Sequence, residues 1–263
     1  MSAPHLIWFR NDLRLADHAA VAHAAAAGPV VALFVLDDET PGHWRMGAAQ
    51  RWRLHHSLAA RGRDLAARGG RLLLRRGAAD VVVPAVAQEI GAAAVHTLTH
   101  YEPWAKAQDA AVAKAVVLKR YHGALLAPPA SVLAGGGGRY RIFTPWWRKL
   151  ADQMPPPRPV PAPGHIAFAD APAGDVLADW QLLPTSPDWS AGFADWVPGE
   201  AGAEARLAAF IGVAGSYDKG RNLPSAEGPS RLPPHLALGE VSIRTVWHAV
   251  ADAIPAAQAE PYL

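Results

Sequence analysis

The residues best suited to chemistry lie in one stretch, residues 216–242. It holds Tyr217, then Arg221 four positions later, and then a Gly-Pro-Ser-Arg turn at residues 228–231. A Ser hydroxyl, a guanidinium and the N–H groups at the start of a following helix can together meet a phosphate or a pyrophosphate. The same pattern also suits a helix cap with a surface arginine, and spacing alone leaves both interpretations open.

Other patterns carry less chemistry. Asp37, Asp38 and Glu39 could coordinate a cation or hold a ribose, or could form an ordinary solvated strand end. The glycines of residues 134–140 lack phosphate-loop spacing and predict a flexible turn. The twelve histidines show no HxH or HExxH spacing, so no metal site is predicted, and nothing marks a catalytic nucleophile.

The composition is that of a globular protein. Its 263 residues suffice for one sizeable domain and part of another, and 51% are hydrophobic against 18% charged. Because the chain lacks cysteine and shows neither a signal peptide nor a membrane segment, we expect a cytoplasmic protein. A net charge of +2 gives no global argument for a nucleic-acid partner, and the arginines of residues 51–76 are interpreted as a solvated helix face.

Predicted strands and helices alternate along the first part of the chain, and they could position the residues named above. Apolar runs predict strands at residues 5–9, 29–36, 71–75, 94–98 and 124–126, and the segments between them predict helices at residues 17–27, 48–68, 80–90 and 104–117. This alternation predicts an α/β domain over residues 1–130, a Rossmann-like open parallel sheet with helices on both faces. Ligands of such sheets prefer the carboxyl ends of the strands, which here carry the loops at residues 10–14, 37–39 and 99–102.

The amino-acid composition changes after residue 130. Residues 131–203 are rich in proline and predict a long interdomain linker, packed on the surface through Trp180, Trp189 and Trp196. Residues 204–263 predict the start of an all-α domain. There Ser242 caps an amphipathic helix with an apolar stripe of Ile243, Val246, Trp247, Val250 and Ile254.

Four stretches together resemble the DNA photolyase/cryptochrome family. They are HLIWFRNDLRLADHAAV, RMGAAQRWRLHHSLAAR, GGGGRYRIFTPWWRKL and YDKGRNLPSAEGPSRLPPHLALGEVSIR, and they occur in the order of the family's motifs. The resemblance implies an antenna domain, a linker and an incomplete helical FAD-binding domain. It further implies repair of cyclobutane pyrimidine dimers in damaged DNA, driven by light through an electron from reduced FAD. By position it assigns Tyr217, Ser230, Arg231 and Leu232 to the FAD phosphates and Arg221 to DNA.

The chain departs from the family pattern at three places. Pro229 and Pro233 replace hydroxyl residues, and losing two donors to a pyrophosphate would cost about 3–6 kcal/mol, although a proline at a first helical position costs little. Trp104 and Ala105 stand where folate-binding members carry an Asn-Glu pair, which disfavours a folate antenna and leaves a deazaflavin, a flavin or no antenna open. Residues 259–263 fall where the family's WRE-containing helix begins, which predicts truncation within the FAD-binding domain.

Several functions stay open at this point. The leading prediction is a deoxyribodipyrimidine photo-lyase, monomeric, whose chain alone binds FAD weakly or not at all. The alternative is a non-catalytic, cryptochrome-like chromophore-binding or sensory module. A third possibility is a fragment without its own function, made prone to aggregation by an exposed apolar stripe on its last helix. The ten tryptophans are predicted to pack the core or anchor the surface rather than carry electrons.

Overall fold

A central sheet of five parallel strands organises the chain. The computed structural model describes residues 2–223, 225, 228–259 and 262. The strands are β1 His5–Phe9, β2 Val30–Leu36, β3 Leu72–Arg76, β4 Ala94–Leu98 and β5 Leu118–Tyr121, in the spatial order β3-β2-β1-β4-β5. Strands β1, β2 and β4 are buried along their whole length, as expected of strands covered on both faces.

Four helices follow the first four strands and cover both faces. They are α1 Ala19–Ala27, α2 Ala48–Ala66, α3 Ala79–Glu89 and α4 Pro103–Ala115. One core cluster joins Phe9 and Phe34 to Leu54 and Leu58 of α2, and a second joins Leu33 to Val83 of α3 and other side chains. The two clusters hold alternate residues of the strands, so the predicted Rossmann-like α/β sheet with helices on both faces is confirmed.

The fifth strand lies earlier than predicted. Leu118–Tyr121 pairs with β4, whereas residues 124–126 are irregular and line a small cavity next to Gly239. Strand β5 forms the sheet edge, and its Lys119 and Arg120 are exposed. Since an edge strand has one partner and a partly solvated face, its sequence lacks the apolar run on which the prediction was based.

The proline-rich segment is more deeply packed than predicted. It contains one helix, α5 Phe143–Ala151, and otherwise runs back along the α/β layers, where Phe168 forms a bridge with Val30. Trp180 is only 5% exposed and contacts Phe34, with ring centroids 6.2 Å apart. Trp180, one of the three tryptophans predicted to pack this segment onto the surface, is therefore buried against the sheet.

Short helices complete the described chain: α6 Glu200–Ile211, α7 Tyr217–Gly220, α8 Pro233–Ala237, α9 Ile243–Ala253 and α10 Ala256–Ala259. Ser242 caps α9 as predicted, since its Oγ accepts the N–H of Thr245 at 3.0 Å. In the stripe of α9, Val246 and Val250 are buried and the other three members are half-buried. The expectation of an exposed apolar stripe on this helix was therefore wrong, because α6 and neighbouring residues cover it. Of residues 259–263, where truncation was predicted, Glu260, Pro261 and Leu263 lie outside the described residues.

No helix among the described residues has both the length and the apolar character needed to cross a bilayer.

A buried carboxylate joins the helical segment to the α/β layers. Glu240 is fully buried; its Oε1 accepts from Ser57 Oγ at 2.5 Å and from the Gly199 N–H at 2.6 Å, and its Oε2 accepts from Arg53 at 2.6 Å. His235 Nδ1 lies 2.7 Å from the same oxygen. Burial by itself raises the pKa of Glu240, but the hydrogen bond with His235 and the charge of Arg53 outweigh burial and lower it.

The arginines of α2 are partly internal. Arg53 and Arg61 are 7% and 1% exposed, and Arg61 donates to Glu200 Oε2 at 2.7 Å and to the Leu13 carbonyl at 2.8 Å. The prediction of a solvated face was therefore wrong for these two residues. The glutamates that pair with them, Glu240 and Glu200, follow more than a hundred residues later in the chain, beyond the reach of any local pattern.

Gly239 allows two backbone segments to pack closely at the same junction. Its φ is +59°, and a Cβ there would lie 2.4 Å from the Asn11 carbonyl oxygen. Leu13 N–H also donates to the Leu238 carbonyl at 2.9 Å. Only glycine satisfies both the left-handed backbone and the close approach of these two segments.

Glu240→Ala should lower the free energy of unfolding by about 3–5 kcal/mol, because it leaves the buried guanidinium of Arg53 without its carboxylate. Urea unfolding followed by tryptophan fluorescence measures the change. The matched control is Glu204→Ala on the exposed side of α6, expected to shift stability by less than about 0.5 kcal/mol. Equal stabilities of the two variants would contradict the role given to Glu240.

Candidate functional site

A pocket of about 880 Å³ opens at the carboxyl edge of the sheet, where the strand order reverses between β1 and β4. Each of the three loops predicted to meet a ligand contributes to it: residues 10–14 through Arg10, residues 37–39 through Asp37 and residues 99–102 through His100. The pocket therefore lies at the edge of the sheet where the sequence predicts a ligand.

Seven aromatic side chains line the pocket, beside aliphatic and polar ones. Five of the ten tryptophans line the pocket, which is a position beyond the two predicted for them, the core and the surface. Such walls offer flat, polarisable faces to a planar conjugated ligand. The aromatic lining residues are Trp8, Phe34, Trp44, Trp52, Trp104, Phe193 and Trp196.

Arg10 fixes the floor of the pocket. Its guanidinium donates to Asp109 Oδ1 at 2.9 Å and to Thr97 Oγ1 at 3.1 Å, and it lies 4.4 Å from the ring centroid of Trp8. These contacts join β1, β4 and α4. Burial lowers the pKa of Arg10 and raises that of Asp109, and the attraction between the two charges opposes both shifts. The floor is therefore a rigid, charge-compensated layer beneath the aromatic walls.

His100 adds a neutral polar group to the wall. Burial, and then the charge of Arg10, lower its pKa to about 4, against weaker opposing effects of Asp12 and Glu102. Its Nε2 has no hydrogen-bond partner among the described residues. At neutral pH the imidazole is therefore uncharged, and its polarity rather than its charge is available at this position.

The acidic residues after β2 build the rim. Asp37 Oδ1 accepts the N–H groups of Glu39 and Thr40 at 3.0 and 2.9 Å, and its Oδ2 accepts from Gln108 Nε2 at 2.8 Å. Asp38 pairs with Arg51 and Arg76. No group of three potential metal ligands occurs in the part of the chain that the structure describes. The carboxylates are thus engaged by protein donors, which favours a structural role over the cation or ribose alternative.

The mouth and the roof come from two distant segments. Trp44 stands 71% exposed at the mouth, on a short turn at residues 42–44 that follows the rim. Pro233, Pro234 and Leu238, from α8 and the residue after it, close the opposite side. The pocket therefore needs both the α/β layers and the helical segment.

The residues assigned to FAD fall into two neighbouring groups. The Tyr217 ring lies 6.0 Å from that of Phe210 and 5.0 Å from that of Tyr262, both edge to face. Ser230 is buried, its Oγ accepts the Leu232 N–H at 3.4 Å, and the Tyr262 hydroxyl hydrogen-bonds with it. Tyr262 therefore connects the Tyr217 group to the Ser230 group.

Two other assigned residues point elsewhere. Arg231 adopts φ +54° and places its guanidinium 4.7 Å from the ring of Trp196, in the pocket wall. The side chain of Leu232 is fully buried in a core cluster with Leu207 and Val246. Pro233 is the first residue of α8, where its missing N–H would have no helical partner, so this proline removes little.

Arg221, assigned to DNA, lies on α7's end beside Tyr217. Its guanidinium is 5.8 Å from the Tyr217 ring centroid and 3.7 Å from Asp218. It is exposed on the surface of the helical segment. The structure thus brings Arg221 and Tyr217 together.

Sequence reasoning missed the pocket's main walls. Trp44 carried no motif, Trp52 lay in a family motif without an assigned role, and Trp196 was placed in a surface linker. Two signals could have found part of it, namely aromatic residues just after the second strand and just after the fourth. Both positions lie at the edge where ligands of parallel sheets bind.

Comparison with known proteins places this geometry in a family. The DNA photolyase family profile matches residues 5–164. The deoxyribodipyrimidine photo-lyase of Agrobacterium fabrum is 38% identical over 94% of this chain and 53% of its own length. Cryptochrome-1 of Arabidopsis thaliana is 31% identical over 93% of this chain and 37% of its own. A bacterial class III photolyase from Agrobacterium tumefaciens superimposes with a TM-score of 0.91 at 36% identity, over 100% of this chain and 56% of that chain.

The fold and the pocket thus define a Rossmann-like domain of the kind found in light-dependent flavoproteins. The chain belongs to the DNA photolyase family. It spans about half the length of the photolyases that it matches.

Stability should fall as the pH drops from about 6.5 toward 4. The pKa of His100 is about 4 in the folded protein, against about 6.5 for an exposed histidine, so the unfolded chain binds more protons in that window. His100→Asn should reduce the loss of Tm between pH 7 and pH 4.5, and thermal unfolding at both values measures it. An exposed control, His165→Asn, should leave the loss unchanged. An identical loss in all three proteins would contradict the burial of a neutral His100.

Proposed function

We propose that this chain is the chromophore-binding part of a photolyase-type flavoprotein, a deoxyribodipyrimidine photo-lyase that repairs cyclobutane pyrimidine dimers in DNA with light. The observation that carries the proposal is the aromatic pocket at the switch point of the sheet, roofed by α8. Relatives named deoxyribodipyrimidine photo-lyase, at 38% and 34% identity, support the activity.

The pocket takes a planar, conjugated antenna chromophore. Its tryptophans offer stacking faces, and neutral His100 with Arg10 offers polarity at the floor. Trp104 lines the wall and Ala105 is buried, so the position of the family's folate-binding Asn-Glu pair presents a ring and a methyl group. A folate gripped by that pair is disfavoured, and stacking is the expected mode for whichever chromophore binds.

FAD is the second cofactor of the proposal. The chemistry it supplies when bound is electron donation from its excited reduced state. Of the assigned residues, Ser230 offers a buried hydroxyl to a phosphate and Tyr217 a ring edge. Arg231 and Leu232 contribute through their backbone, because their side chains contact Trp196 and the core. Among the assigned residues, Ser230 is therefore well suited to a phosphate of FAD, and the others are suited to it only in part.

Damaged DNA is the proposed partner, and Arg221, exposed on the helical segment, is the proposed contact. We place the protein in the cytoplasm as a monomer, with the division into residues 1–130, 131–203 and 204–263 as its domain organisation. A composition without cysteine supports the proposed location, because it suits a reducing compartment.

A cryptochrome-like sensor is the second candidate. The 31% identity to cryptochrome-1 of Arabidopsis thaliana over 93% of this chain favours it. The aromatic pocket would serve a sensor equally, since chromophore binding there needs no DNA. Preferential binding of a thymine-dimer oligonucleotide over an undamaged one in the dark would favour the photolyase, and chromophore binding without such a preference would favour the sensor.

Trp104→Ala should weaken chromophore binding about tenfold, because one stacked aromatic face is worth roughly 1 kcal/mol or more. Titration of the purified protein with a methenylfolate, a deazaflavin and FMN, followed by tryptophan fluorescence, measures it. Trp147→Ala is the matched control, a tryptophan on α5 that does not line the pocket. No binding of any of the three, or equal affinities of both variants, would contradict the assignment of the pocket.

The chain alone should bind FAD weakly, because Tyr217, Ser230 and their neighbours form one open wall. Flavin absorbance of the purified protein, relative to its protein absorbance, measures occupancy. We expect occupancy far below one flavin per chain after dialysis. Stoichiometric flavin together with blue-light repair of a thymine-dimer oligonucleotide would contradict this expectation.

A further inference from the structure

Residues 139–149, RYRIFTPWWRK, form an exposed aromatic and basic segment outside both sites described above. Nine of its eleven residues are exposed, and only Tyr140 and Trp146 are half-buried. Phe143 and Ile142 are 69% and 68% exposed, unusually high values for side chains of their size. The segment comprises the loop before α5 and most of that helix.

Three rings of the segment form a cluster on one side of α5. Phe143, Trp146 and Trp147 fall at helical spacings of three and four residues. The planes of Phe143 and Trp147 are 9° apart with centroids 6.3 Å apart, and Trp146 lies 5.7 Å from Phe143. Leu150, one turn further along the same side, is buried and anchors the helix. The rings are therefore held in place with their outer faces in solvent.

Four cations lie in the same segment as these rings, and three of them have no carboxylate partner among the described residues. The segment contains Arg139, Arg141, Arg148 and Lys149 and no acidic residue. In the part of the chain that the structure describes, Lys149 pairs with Asp152 at 3.5 Å, and none of the three arginines has an ion pair. Over residues 123–169 the balance is five cations to one acid, although the whole chain carries only +2. The segment and its surroundings therefore carry a local excess of positive charge.

We propose that residues 139–149 bind single-stranded DNA, with the rings stacking on unpaired bases and the cations meeting the phosphates. Aromatic faces interleaved with a basic track are the arrangement by which proteins hold single strands without reading sequence. An apolar protein partner fits less well, because four cations in eleven residues would have to be desolvated. A repair enzyme that turns a lesion out of the duplex also leaves bases without partners, which gives this surface a ligand.

The inference rests on the proposed function in one respect, namely that the nucleic acid is DNA. It requires neither flavin nor the aromatic pocket. Binding measured in the dark, on protein without chromophore, therefore fails or succeeds independently of the chromophore titration.

Fluorescence anisotropy with a labelled oligothymidylate of about 16 nucleotides tests the proposal across a range of salt concentrations. One variant neutralises the segment: Arg139→Gln, Arg141→Gln, Arg148→Gln and Lys149→Gln. A matched control removes the same charge from other exposed positions: Arg63→Gln, Lys106→Gln, Lys114→Gln and Lys119→Gln. A third protein, Phe143→Ala with Trp147→Ala, removes the rings and keeps the charge.

The neutralised segment should raise the Kd more than about tenfold at low salt and reduce the slope of log Kd against log salt by about 3. The ring variant should weaken binding about tenfold with an unchanged slope. The control should retain most of the affinity. Because the substituted side chains are exposed, thermal unfolding should confirm that all proteins are folded.

Three results would overturn the proposal. One is wild-type protein that does not bind the oligonucleotide at low salt. Another is a control variant that loses as much affinity as the neutralised segment, which would indicate general charge attraction. The last is a ring variant with unchanged DNA affinity that abolishes self-association of the wild type in gel filtration, which would make this face a protein-docking surface.

Discussion

The buried carboxylate of Glu240 is the contact on which the rest of the structure depends. A carboxylate taken out of water without partners costs several kcal/mol, so this one is tolerable only where donors converge on it. Arg53 and Ser57 come from α2, Gly199 N–H from the end of the linker and His235 from α8. Burial of this carboxylate therefore needs both the α/β layers and the helical segment, because neither alone supplies all of its hydrogen-bond donors.

This junction explains why the two candidate sites are neighbours. The roof of the aromatic pocket is α8, which begins at Pro233, directly after the segment assigned to the FAD phosphates. Arg231 from that segment contacts Trp196 in the pocket wall. A tie through Glu240 therefore sets the position of both sites at once. In a light-driven protein such rigidity would fix the separation of two chromophores, one in each site.

Much of the architecture was readable in the sequence, because burial leaves local patterns. Strands β1, β2 and β4 appear as apolar runs, and Ser242 marks the start of α9. Ion pairs between residues far apart in the chain leave no such local pattern. Arg53 and Arg61 look like surface residues of a helix until Glu240 and Glu200 are placed beside them. Strand β5 was misplaced because its edge position relaxes the apolar pattern, and the pocket's tryptophans came together only through the fold.

Amide hydrogen exchange tests most directly the claim that one buried tie makes the α/β layers and the helical segment a single unit. Under native conditions, amides of β1, β2 and β4 should exchange with the same free energy of opening as those of residues 199–211 and 243–250. Fast exchange throughout residues 199–250 beside a protected sheet would show that the helical segment opens on its own. That result would contradict the account.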